Sequence, residues 1–398
     1  MSSVPPLTGV RVLAALRGPE LFGSERGNIE VFKVVRSLGA EVCVAVPTLM
    51  GGGAVREELE RLGFPTVTVP FGFQWSKSFF RREPHLLLVN LWHWTRCHIA
   101  FDRAVRVFRP SHVQLGNPLA FNFIEGVVRR HRLQMVVRMG DAPPTASAVQ
   151  MVMWRRFVRR STRAMAISRY IWESVAEQEP SFRVRPKRVI YNLAPTPTQV
   201  AEEPDMKPEC RHVVYLGQII REKGVYHLLE AAREVRLRYG DVMFHLIGGS
   251  VHTGRTEAEL RGLAAAAGMA EAVRFHGWVG NAQRHLARAT VHVAPSLCAE
   301  ALGNVVLEAK REGTPSVVFP SGGLVEMIRH GVDGVVCREA SSAALAEGII
   351  WCLEQMRQRP DLREAVRADF HERFGLGRFR EAWREMYEPS VPRSNGER

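Results

Sequence analysis

Twice along this chain a short apolar run is followed by a glycine-bearing loop, an amphipathic helix and a second apolar run. Val10 to Leu16 reads as a buried strand, residues 17–23 as a Gly/Pro-containing loop, and Ser24 or Glu25 to Leu38 as a helix with Ile29, Phe32, Val35 and Leu38 on one face. Gly39 ends it, and Glu41 to Val46 is the next strand. In the second half His212–Leu216 is a strand, Gly217–Gly224 a turn, Val225–Tyr239 a helix and Val242–Ile247 a strand. Strands joined through a helix pair in parallel, because a hairpin cannot connect two parallel neighbours. Further short apolar runs at 65–69, Val113–Leu115, Met135–Arg138 and Ala164–Ile167, and later at Val273–Phe275, Val291–Val293, Ser316–Phe319 and Val335–Val336, extend both sheets. Leu193 to Lys207, with Pro195, Pro197 and Pro204, lacks periodicity and reads as a linker. The expected class is therefore α/β, as two Rossmann-like doubly wound parallel-sheet domains facing a cleft. The expected bounds are 1–195, a linker at 196–208, a second domain at 209–375 and an amphipathic helix at 376–398.

The stretch Pro295-Ser-Leu-Cys-Ala-Glu300-Ala-Leu-Gly303-Asn304-Val-Val-Leu-Glu308-Ala leaves a strand, turns on small residues and opens a helix. A helix N-terminus presents unpaired N–H groups and a positive dipole end, which suits a phosphate. Gly303 would let the phosphate approach the backbone, with the N–H groups of Leu302, Asn304 and Val305 around it. Glu308 falls on the same face one turn after Asn304, where a carboxylate can accept hydrogen bonds from a ribose diol. Glu300 is left for another polyol. The plainer reading is a helix whose first turns are acidic because the dipole favours it.

Charge is the other strong signal. The net charge is +13, and only six of the 54 basic residues are lysine. Arginines cluster at Arg129, Arg130 and Arg132, and again at Arg155, Arg156, Arg159, Arg160 and Arg163 behind Trp154. Such a surface attracts nucleotide diphosphates, an anionic membrane leaflet or nucleic acid, and a genome rich in arginine would produce it as well. No helix-turn-helix, RNP-type or zinc-finger pattern is present, so nucleic acid is not expected. No apolar run approaches the ~18 residues of a membrane span, and Met1–Pro6 does not open a signal peptide. The six cysteines are scattered without a Cys-x-x-Cys pair, which fits a reducing cytoplasm.

The two glutamates with seven residues between them, Glu300 and Glu308, resemble the signature of retaining GT-B glycosyltransferases of the GT4 family. The resemblance implies that Glu308 binds the donor ribose and that Glu300 contacts the donor sugar. Val213 to Gly224 is similar to the family's Gly-Arg-x-x-x-x-Lys-Gly turn, with Gly217 and Lys223 in place. The implied role of its cations is to neutralise the departing diphosphate. Gln218 stands where the family has arginine, so Arg221 is the substitute to test. Phe275-His276-Gly277-Trp278-Val279 resembles the nucleobase segment. Gly322, Gly323 and the Gly331-Val-Asp-Gly334 turn complete the C-terminal pattern, and Glu326 reads as a helix start. In the first half Gly23 and Ser24, before Glu25, look like the family's loop facing acceptor and donor phosphate. Gly140 occupies the place of the family's histidine and Asp141 remains, either to orient the acceptor hydroxyl or to cap the turn before Pro143. His93, His98 and His112 are unranked alternatives.

The resemblance thus implies metal-independent transfer of a sugar, with retention, from a nucleoside-diphosphate sugar to a glycan or lipid-linked acceptor. The Asp-x-Asp of GT-A transferases is missing, and so is His-Glu-x-x-His. No metal site and no cofactor beyond the sugar nucleotide are expected. The acceptor is expected on residues 17–27, 71–98 and 138–145. The expected location is the cytoplasm, with peripheral contact at the inner face of the plasma membrane left open. Two alternatives stand beside this: a non-catalytic or regulatory nucleotide-sugar-binding protein, which the changes at Gln218 and Gly140 allow, and a sugar-nucleotide epimerase on the same fold.

Overall fold

The computed structural model describes residues 7–388 except 17, 19–22, 49–52, 73–84, 117, 146, 196–203 and 250–254. Parts of the loop after the first strand, of the aromatic stretch after Phe71 and of the expected linker therefore lie outside the described residues. Packing divides the chain into one unit of Met1–Tyr191 with Gly377–Arg398, and a second of Asn192–Leu376.

In the first unit β1 (Arg11–Ala15), β2 (Glu41–Pro47), β3 (Thr66–Val69), β4 (His112–Leu115), β5 (Gln134–Met139) and β6 (Arg163–Ala166) form one sheet in the order β3-β2-β1-β4-β5-β6. Every pairing is parallel. The connecting helices are α1 (Gly23–Ser37), α2 (Gly53–Arg61), α3 (His85–Phe108), α4 (Pro118–Arg130), α5 (Ala148–Arg160) and α6 (Arg169–Gln178). The central strands are buried along their lengths, which is why they read as continuous apolar runs rather than alternating ones. Gly39 closes the turn after α1 with φ +98°, as a helix C-terminus requires.

In the second unit β7 (Arg211–Leu216), β8 (Val242–Ile247), β9 (Val273–Gly277), β10 (Val291–Ala294), β11 (Ser316–Val318) and β12 (Gly334–Val336) are ordered β12-β11-β10-β7-β8-β9, again all parallel. Its helices are α7 (Val225–Arg238), α8 (Arg255–Ala266), α9 (Ala282–Arg288), α10 (Asn304–Arg311), α11 (Ser342–Gln358) and α12 (Leu362–Phe374). Strand order reverses between β1 and β4 in the first sheet and between β7 and β10 in the second. Open α/β sheets bind ligands outside the strand C-termini at such points.

The unit boundary falls at Tyr191, before the proline-rich stretch. Asn192 is buried and its amide donates to Asn304 Oδ1 at 2.9 Å, which ties the start of that stretch to the second unit. The last helix, α13 (Leu376–Tyr387), packs within the first unit. Trp383 and Tyr387 are fully buried there, the Tyr387 hydroxyl donates to Gln114 Oε1, and its ring meets His112 edge-on at 5.4 Å.

Candidate functional site

The second unit builds its site on the two strands at which its order reverses. Past β7 the chain makes one 3₁₀ turn, Arg221–Lys223, and Gly224 follows with φ +71°. A Cβ on Gly224 would sit inside the van der Waals radius of the Pro295 carbonyl oxygen. That glycine lets the turn after β7 lie against the segment after β10, and the two are stitched by Leu297 N–H donating to Glu222 O at 2.9 Å. The result is an ion pair between Lys223 Nζ and Glu300, whose Oε1 also accepts from Ser296 Oγ at 2.9 Å. Both partners keep about a quarter of their side-chain surface in contact with solvent, at 27% and 23%. The pair is therefore accessible to a diphosphate.

Glycines also fix the backbone of Glu300. Gly323 N–H donates to Glu300 O at 2.7 Å, and a Cβ on Gly322 would lie 2.8 Å from Glu300 N. The Gly322–Met327 segment is a 3₁₀ helix, so Glu326 sits inside a short helix that opens at Gly322. Gly303 has φ +92° and precedes α10, and a Cβ there would collide with Leu324. Leu302 is buried, Asn304 Oδ1 is held by Asn192, and Val305 lies in the first turn of α10. Glu308, one turn on, accepts from Gln283 Nε2 at 3.1 Å on the neighbouring α9.

Around this centre Gln218 follows Gly217, and its carbonyl accepts from the buried Tyr215 hydroxyl at 2.6 Å. Burial, and then the nearby Glu300, push the Tyr215 phenol well above its ordinary value, so it stays a neutral donor. Arg221 does not join Lys223. Its guanidinium lies 4.2 Å over the Tyr226 ring. Trp278 is 78% exposed, with its indole nitrogen over the space a Cβ on Gly249 would need. Lys310 anchors α10 from beneath: it is fully buried and meets Asp333 at 2.6 Å, Asp369 at 2.5 Å and Met327 O at 3.0 Å.

Gly23, Ser24 and Asp141 lie in the other unit. Gly23 opens α1, and Ser24 Oγ donates to Glu25. Asp141 follows β5 and lines a cavity of about 160 Å³ with Gly140, Asn122, Gln150, Met153 and Trp154. Arg138 approaches position 140: its Nη1 lies 3.3 Å from where a Cβ on Gly140 would be, and Arg138 is only 2% exposed. Burial draws its guanidinium down to about 10, while Asp141 and Glu25 oppose that shift. Of the three alternative histidines, His112 begins β4 at the opposite end of the strand and His98, on α3, lies against Phe123 O at 3.3 Å, whereas the buried His93, also on α3, meets the backbone of Pro70 just past the C-terminal end of β3.

Sequence reasoning missed Ser296, Tyr215, Gln283, Asn192 and the Lys310 cluster. Ser296 sits four residues before Glu300 and Tyr215 three before Gln218, so both had a local signal; the others act across separations of 17 to 112 residues, in no pattern that a single sequence displays. Among the described residues no group of three His, Cys, Asp or Glu is arranged to hold a metal.

Two parallel six-stranded sheets, each with its reversal point and with the phosphate-type turn in the second, define the GT-B class. Solved structures agree: Anabaena Alr3699/HepE in complex with UDP has a TM-score of 0.74 at 17% identity, over 94% of this chain and 98% of that one. Residues 210–355 match the model for glycosyl transferases group 1. The lipopolysaccharide core biosynthesis glycosyltransferase LpsE of Rhizobium meliloti (strain 1021) is 32% identical over 204 residues, which are 50% of this chain and 56% of that protein. The phosphatidyl-myo-inositol mannosyltransferase of Mycobacterium leprae (strain TN) is 32% identical over 152 residues, 37% of this chain and 39% of that one. The chain thus spans about half or less of the curated relatives it matches.

Proposed function

We propose that this chain moves a sugar from a nucleoside-diphosphate sugar to an acceptor hydroxyl, with retention at the anomeric carbon. The observation that carries the reading is the Lys223–Glu300 pair beside the start of α10, with Glu308 one turn further on the same helix. In this reading the diphosphate takes Lys223 and the N–H groups after Gly303, and Glu308 takes the ribose. Glu300, released from Lys223, faces the donor sugar, and Trp278 borders the base. Arg221 is a second, outlying cation. Lys223 and the helix dipole meet the phosphate charge without a metal ion, and no cofactor is needed. Asp141, which lines a cavity with mainly apolar residues, orients the acceptor, and Gly23 and Ser24, at the start of α1, form the acceptor and phosphate loop of this reading.

The acceptor is a glycan or lipid-linked sugar, supported by what the Rhizobium and Mycobacterium relatives are named for. The work is done in the cytoplasm, at the inner face of the membrane.

The test is thermal stabilisation by UDP, GDP, ADP and their sugars, with Glu308→Ala as the control. Ligand at ~100 times its dissociation constant should add about 2.7 kcal/mol to wild type and nothing to the variant. If no nucleotide stabilises wild type, the reading fails. Donor hydrolysis or transfer by the stabilised protein then separates a transferase from a binding protein.

A further inference from the structure

Helix α3 buries one face and leaves the other apolar. Asn90, His93, Cys97, Phe101, Ala104 and Val105 point inward. On the outer side Leu88 is 71%, Trp92 53% and Ile99 65% exposed, at the spacing of successive helical turns. Leu91 and Trp94 widen the patch, both more than two-fifths exposed, at 46% and 41%. Apolar side chains of this size, contiguous on one helix face, mark an interaction surface rather than scattered surface residues.

The charge around the patch names its partner. Helices α3, α4 and α5 pack side by side on one face of the first sheet. Together they carry nine arginines against Asp102 and Glu125 alone, more than half of the chain's net charge of +13. On α3 itself Arg96 lies 4.5 Å over the Trp92 ring, and Arg103 and Arg106 are exposed one and two turns past Ile99, beside the exposed Val107. A helix whose outward face interleaves large apolar side chains with arginines matches an anionic lipid surface, with Trp at the headgroup level and Arg on the phosphates. Among the described residues no helix is long and apolar enough to cross a membrane, so the contact would lie along the surface.

We propose that the exposed face of α3 docks this chain on an anionic bilayer, Leu88, Trp92 and Ile99 entering the acyl boundary and the arginines of α3 to α5 holding the headgroups. The proposal deepens the reading of a membrane-side acceptor, but its measurement does not depend on sugar transfer.

The experiment is sedimentation of the full chain with neutral phosphatidylcholine vesicles and with vesicles in which about one-third of the lipid is phosphatidylglycerol. Wild type should bind the anionic vesicles at least tenfold more tightly and release them at high salt. Trp92→Ser with Ile99→Ser should weaken that binding about tenfold, and so should Arg103→Glu with Arg106→Glu. Nucleotide stabilisation should be unchanged in both, which shows that the variants fold and tests the donor site separately. Equal binding to both vesicle types would overturn the proposal. So would no binding, or binding unchanged by the Trp92 and Ile99 substitutions. Light scattering that shows a dimer abolished by those substitutions would assign the face to a second copy and also overturn it.

Discussion

Lys223 and Glu300 form an ion pair across 77 positions of sequence because β7 and β10 are neighbours in the second sheet. Each residue lies a few positions past the C-terminal end of its strand, and Ser296 holds the same Glu300 oxygen. Without a ligand the cation is therefore stored on the carboxylate that flanks it. Lys223→Ala should lower turnover roughly 100- to 1000-fold, the range for losing a fixed group that stabilises developing charge. Arg221→Ala should cost at most about tenfold, because its guanidinium is engaged with Tyr226. Steady-state kinetics on the two variants with one donor would check the ranking, and equal losses would contradict it.

Gly224 and Gly262 should respond to alanine with opposite signs. Gly224 combines φ +71° with a carbonyl in the space of its missing Cβ, so Gly224→Ala should destabilise by roughly 2 kcal/mol or more. Gly262 lies inside α8 with open space where a Cβ would point, and Gly262→Ala should stabilise by about 0.5–1 kcal/mol. Urea denaturation of both variants measures this directly. The Gly224 variant should also lose turnover, since the shift moves Lys223 away from Glu300.

Four histidines give the second unit an acid-sensitive interior. His212, His245 and His276 stand one each on β7, β8 and β9, linked at 2.9 Å by ring nitrogens, and His276 meets the His285 ring at 5.0 Å. The carbonyl of Lys207 can only accept, so His212 carries its proton on Nε2 and accepts through Nδ1. His245 then donates through Nε2 and accepts from His276, and each ring in the row is neutral. Burial disfavours the imidazolium and lowers all four, His245 to about 3 and His285 to about 4. In the unfolded chain they titrate near the ordinary ~6.5. Between those values the unfolded chain binds more protons, so stability falls as pH drops from about 6.5 toward 4. Each such group contributes at most about 1.4 kcal/mol per pH unit. Denaturant titrations at pH 7.5 and 5.0 should show this loss, and His245→Asn should make the dependence shallower.

Lys310→Met should destabilise the chain by about 3–5 kcal/mol, the usual cost of leaving a buried charge without its partner. Burial pushes Asp369 up, but Lys310, Arg373 and Arg329 outweigh it and hold the carboxyl below its ordinary range. Removing Lys310 leaves Asp333 with no cation in contact. Calorimetric unfolding of the variant tests the figure, and a neutral result would show that Asp333 takes up a proton at little cost.

Much of the fold, and the helix start on which the candidate site is built, were legible before the structure. The strands showed because fully buried parallel strands are short and uniformly apolar, as in Val242–Ile247. Gly303 and Glu308 showed because a helix start and its first face are local in sequence. The unit boundary was expected too late in the chain, since the side-chain contact of Asn192 with Asn304 leaves no local pattern. Arg221 was expected beside Lys223 on proximity alone, and a tyrosine five positions on took it instead.

By itself the sequence determined the order of strands and helices, the parallel sheets that order forces, and the residue types around the phosphate-type turn. Those follow from periodicities of two to four residues, which the chain displays directly. Only the tertiary structure decided which charges meet. Sheet order brought Lys223 to Glu300 and aligned three histidines on adjacent strands. The reason is that neighbouring strands in these sheets come from distant parts of the chain, and side-chain distances across them depend on register and crossover rather than on spacing in sequence.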